Sequence, residues 1–135
     1  MITDVSDVKT LMLAGKATLT IKSKKTGGRF TYRFNRPPGD DPGRCVWVRV
    51  LTGPDNENSY RYLGVLWPRE MAYRAKGDEP SSQAIRWVIQ TMDLQPEKLL
   101  DLVEVWHEGK CCRCGRKLTT PESIARGLGP ECATR

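Results

Sequence analysis

Apolar residues Val5, Val8, Leu11 and Met12 recur at helical spacing and stop at Gly15, which predicts a short amphipathic helix with Asp4 or Ser6 as N-cap. The period then changes to two. Lys16 to Lys22 places Ala17, Leu19 and Ile21 on one face, and Arg29 to Phe34 alternates again after Lys24-Lys25-Thr26-Gly27-Gly28, so these segments predict a β-hairpin with a basic tip. Beyond a Pro/Gly-rich loop at 37–43, Cys45 to Leu51 and Tyr60 to Trp67 predict a second strand pair, joined across the turn-forming residues 53–58. Pro68 ends the last of these strands.

Helical spacing returns with Ala84, Ile85, Val88, Ile89 and Met92, behind Ser81 or Ser82 as N-cap. A further helix is predicted from Pro96 through Leu99, Leu100, Leu102, Val103, Val105 and Trp106 towards Gly109, delivering His107 at its end. The expected fold is therefore α+β: a four-stranded antiparallel sheet with helices on one face, plus a small C-terminal zinc module. The expected division is residues 1–105 for the α+β domain and 106–135 for the module.

The zinc expectation comes from cysteine spacing. Cys111 and Cys114 form a C-x-x-C step followed by Gly115, His107 lies four residues upstream, and Cys132 returns after a segment punctuated by Pro121, Gly127 and Gly129-Pro130. One imidazole and three thiolates suit a tetrahedral zinc site closed to substrate, hence structural. Cys112 stays open as a substitute for Cys111 or His107. Disulfides or free thiols are the competing readings of the five cysteines. Met1 to Ala14 mixes Asp4, Asp7 and Lys9 among apolar residues, unlike a signal peptide, so a cytoplasmic and reducing location is expected, which favours metal.

Two stretches resemble a known group of sequences. His107-x-x-x-Cys111-x-x-Cys114-Gly115-Arg116-x-Leu118-Thr119, Pro121-Glu122-Ser123-Ile124 and Gly127-Leu128-Gly129-Pro130-Glu131-Cys132 resemble a small zinc-binding domain of uncharacterised phage and prophage proteins. Trp47 to Asn56 with Tyr60 to Gly64 looks like the strand pair that precedes that domain. Cys112 departs from the pattern, which more usually has a small or polar residue there. The resemblance implies phage origin and zinc, with no activity to carry over.

Charge adds a candidate partner. The formal net charge is +6, and between Lys16 and Arg36 the chain carries many Lys and Arg residues and no acid. Interleaving with Phe30, Tyr32 and Phe34 gives the mixture of phosphate-attracting charge and stacking rings used on single-stranded nucleic acid. The competing reading buries those rings in the core and leaves the cations as a solvated edge. The candidate contacts are Lys22, Lys24, Lys25, Arg29 and Arg33 on the hairpin, with Arg113, Arg116 and Lys117 around the zinc ligands. Trp47, Tyr60, Tyr62 and Trp67 are expected mainly in the core. Cys45 lacks a histidine to activate it, and no catalytic group is assigned.

The resulting expectation is a non-enzymatic phage accessory protein that binds zinc and nucleic acid, DNA or RNA. The rival expectation is a phage-encoded inhibitor of a host defence complex, of anti-CRISPR or anti-restriction type, acting by protein binding.

Overall fold

The computed structural model describes residues 2–36, 45–53, 59–75, 77–108 and 112. Helix α1 (Val5–Met12) begins at Asp4, whose carboxylate accepts from the Ser6 backbone N–H at 2.9 Å. That cap satisfies one of the donors a helix start leaves unpaired. Strands β1 (Lys16–Ser23), β2 (Arg29–Asn35), β3 (Val46–Leu51) and β4 (Tyr60–Trp67) follow in meander order.

The sheet is wider than the periodicity predicts. It has six strands in the order β5-β4-β3-β2-β1-β6, all neighbours antiparallel, so the four-strand expectation is corrected. The first addition, β5 (Ala72–Ala75), returns beside β4 through a tight turn at Met71, whose φ of 50° lies in the left-handed region. A non-glycine residue in that conformation gives little warning of a turn in sequence.

The second addition, β6, replaces half of a predicted helix. Helix α3 (Pro96–Leu102) ends at Leu102, and β6 (Val103–His107) pairs with β1, matching Leu19 to His107 and Ile21 to Val105. The reason is local: Val103-Glu104-Val105-Trp106-His107 alternates, and β-branched valines at every second position favour a pleated, half-buried surface over a helix. Ile2 donates its backbone N–H to the Val105 carbonyl at 2.8 Å, partly covering this edge.

Helix α2 (Pro80–Leu94) starts at Glu79 with Pro80 in its first turn, and Glu79 makes no side-chain cap. Ser81 and Ser82 are not caps; they are buried in the first turn, where the Ser81 carbonyl accepts the Tyr32 hydroxyl at 2.7 Å and Ser82 meets the Tyr73 hydroxyl at 3.1 Å. The buried residues of α1, α2 and α3 join Leu19, Tyr32, Phe34, Val48, Leu66 and Val105 in one hydrophobic cluster. All three helices therefore lie on one face of the sheet, as two-layer packing requires. None of these helices lies on the opposite face, and among the described residues no helix is long and apolar enough to cross a membrane.

Candidate nucleic-acid interface

Strand alternation decides what the uncovered face carries. Because Tyr32 and Phe34 are fully buried and Phe30 packs against the core, these rings occupy the helix side, and the stacking role considered for them is overturned. Their neighbours Arg29, Thr31 and Arg33 necessarily point the other way. The same parity turns Lys22 on β1, Trp47 and Arg49 on β3, Arg74 on β5 and Trp106 on β6 towards the open face, and an irregularity in the β3–β4 register between Val48 and Arg49 resets the alternation of β4 so that both Tyr62 and Trp67 join them. Trp47 is 39% exposed, Tyr62 54%, Trp67 40% and Trp106 44%. Core burial of the β3–β4 aromatics, the expectation from sequence, does not hold for these rings.

Three of the rings form a group. Trp47 pairs with Val65, and Arg49 with Tyr62, so both Tyr62 and Trp67 are diagonal neighbours of Trp47 across β3 and β4. Diagonal neighbours on one sheet face stand about 7–8 Å apart. Trp106 sits apart, near the β6 edge and opposite Thr20.

The cations are placed against one another. Lys22 lies directly opposite Arg29, and Arg33 directly opposite Arg49. Like charges in direct cross-strand register cost stability, so two such pairs on one face create positive potential that fold stability alone does not favour. Rings soften part of this cost. The Arg33 guanidinium carbon lies 4.0 Å from the Tyr60 ring centroid, and that of Arg49 lies 5.6 Å from the Trp47 centroid. Burial pushes the Tyr60 phenol up from its ordinary pKa, and Arg33 partly opposes the shift. Glu104 lies opposite Lys22, and exposed Glu108 adds to the upward shift of Tyr60, so acidic charge reaches the Arg33–Tyr60 part of the face as well as the β6 side.

The other predicted contacts divide in two. Lys24 donates its ammonium to the Leu100 carbonyl at 2.7 Å and is engaged in holding the hairpin to α3, whereas Lys25 is exposed at the turn. Arg113, Arg116 and Lys117 lie outside the described residues. Sequence reasoning missed Arg49, Arg74 and Trp106; the signal for Arg49 was its place between Val48 and Val50 in a clean alternation.

Of the candidate zinc ligands, His107 is described, at the end of β6, while Cys111, Cys114 and Cys132 lie outside the described residues. No group of three metal-binding side chains occurs among the described residues. Cys112 is buried in the hydrophobic cluster at 2% exposure, and its carbonyl accepts the Lys16 N–H at 2.6 Å. Such surroundings suit a small apolar side chain better than a thiolate.

No curated protein and no solved structure matches the chain. Over residues 105–135, from the second half of β6 onward, the chain is similar to a family of unknown function, DUF6011.

Proposed function

We propose that this protein binds single-stranded nucleic acid, without catalysis, on the open face of its sheet. The observation that carries the reading is the Tyr62–Trp47–Trp67 group, half-exposed and flanked by Arg49, Arg33 and Arg74. Every base has a face that stacks on an aromatic ring, and a sheet presenting two or three rings among cations holds successive unpaired bases. Diagonal positions on one sheet face, about 7–8 Å apart, are spaced more widely than the roughly 3.4 Å of stacked duplex bases. Spread, unpaired nucleotides fit such a platform better than a duplex does. The paired cations at Lys22–Arg29 and Arg33–Arg49 supply phosphate contacts beside the rings.

The C-terminal segment is assigned a structural zinc ion held by His107, Cys111, Cys114 and Cys132, supported by the C-x-x-C spacing of Cys111 and Cys114. The resemblance to phage and prophage zinc-binding proteins supports a phage accessory protein acting in the host cytoplasm.

Filter retention of purified, zinc-loaded protein with oligo(dT), oligo(U) and a mixed-sequence duplex at low salt tests the reading. Preferential retention of the single strands is expected. No retention of any of them, with a host protein captured through the same face after nuclease treatment, would replace it with an inhibitor that docks on protein.

A further inference from the structure

A concavity lies on the helix side of the sheet, between the β1–β2 hairpin end, α2 and the α3–β6 junction. It has a volume of about 390 Å³, within the roughly 300–1,000 Å³ usual for small-molecule sites. Its body is apolar: Phe30 and Tyr32 from β2, Ala84 and Trp87 from α2, and Leu102 and Val103 at the α3–β6 junction. Trp87 and Leu102 remain about half exposed as they line it, so an apolar wall is left facing water.

Its mouth has different chemistry. Ser23, Lys25 and Thr26 line the rim. The Ser23 hydroxyl accepts from the Thr26 backbone N–H at 3.3 Å, and the Thr26 hydroxyl accepts from the Gly28 N–H at 3.2 Å. Each hydroxyl has thereby used acceptor capacity and keeps its hydrogen to donate. Lys25 forms no ion pair among the described residues, so the rim offers an ammonium and two O–H donors beside an apolar chamber. The frame is fixed as well: the Lys24 backbone N–H donates to the Leu102 carbonyl at 3.0 Å, and the Lys24 ammonium holds Leu100.

We infer that this pocket binds a small amphipathic anion, an alkyl or aryl carboxylate whose apolar body lies against Trp87 and Phe30 while its carboxylate meets Lys25, Ser23 and Thr26. Charge complementarity selects an anion over a neutral apolar molecule, and the scarcity of polar groups within the chamber excludes a nucleobase, whose hydrogen-bonding edges would be left unsatisfied. The site is independent of the open sheet face.

Titration of full-length ¹⁵N-labelled protein with decanoate and with decanol, read on the tryptophan indole N–H signals, tests this, with the Trp87 signal assigned from Trp87→Phe. Saturable movement of the Trp87 signal is expected, with decanoate binding at least fivefold tighter than decanol. Lys25→Met should remove that preference, and Ala84→Leu, which fills the chamber, should weaken both ligands. Movement confined to Trp47, Trp67 or Trp106, no saturable movement, or equal affinity for acid and alcohol would overturn the inference. Lys25→Met alters an exposed residue, so its loss of preference is readable even if Ala84→Leu fails to fold.

Discussion

Arg33 lies over the ring of Tyr60, guanidinium carbon to ring centroid 4.0 Å, while facing Arg49 directly across β2 and β3. The ring holds one guanidinium in place beside another that repels it. Two cations side by side on one sheet face attract phosphate.

Arg29 faces Lys22 across the hairpin and is exposed. Arg29→Thr removes a like-charge pair and inserts a better strand former, so it should raise stability by roughly 0.2–1 kcal/mol. The same change should weaken single-strand binding and flatten its log–log salt slope by about 0.7 if Arg29 meets one phosphate. Denaturant melts and binding at three salt concentrations check the two halves separately. Lower stability would show that the pairing is not repulsive.

Tyr32 links the sheet to α2 through its bond to the Ser81 carbonyl, and Tyr32→Phe should cost about 0.5–1.5 kcal/mol. Burial raises the Tyr32 pKa above the ordinary value of 10.0, with the neighbouring Tyr73 adding to the shift. Because the folded-state value is raised, the neutral phenol's contribution is intact below about pH 10, where the unfolded chain titrates, and is lost as pH climbs beyond it. Wild-type stability should therefore fall more steeply above pH 10 than that of Tyr32→Phe, as read from urea midpoints at pH 8 to 11.

The two cysteine neighbours should behave oppositely. Cys112→Ser places a hydroxyl in the cluster where Cys112 is 2% exposed, which should lower stability by about 1–3 kcal/mol and leave zinc content at one per chain. Cys114→Ser should abolish zinc binding. Metal analysis by mass spectrometry with thermal melts distinguishes them; zinc lost from Cys112→Ser in a protein that still melts cooperatively would make Cys112 a ligand.

Much of the sheet was legible because β2 and β3 alternate, β1 and β4 are rich in β-branched and aromatic residues, and their loops carry Gly, Pro, Asn and Asp. The missing strands have separate causes. β5 is four residues long and enters through a left-handed Met71, and β6 follows a helix so closely that Leu99, Leu100, Leu102, Val103 and Val105 read as one apolar stripe. The candidate interface was half legible. Charge clustering located Lys22, Arg29 and Arg33, but parity within one strand does not reveal which face the helices will cover, so the rings of β2 were considered for stacking while those of β3 and β4 were assigned to the core. Only the position of α2 against Tyr32 and Tyr73 decides that choice.

The most direct test of the open-face account is fluorescence anisotropy of a labelled ten-nucleotide oligo(dT) with wild type, Trp47→Ala and Tyr62→Ala, each confirmed folded. Loss of one stacked base is worth about 1–3 kcal/mol, so each variant should bind roughly 5- to 150-fold more weakly. Unchanged affinity in both folded variants would contradict the account, because Trp47 and Tyr62 stand at the centre of the surface it assigns to nucleic acid.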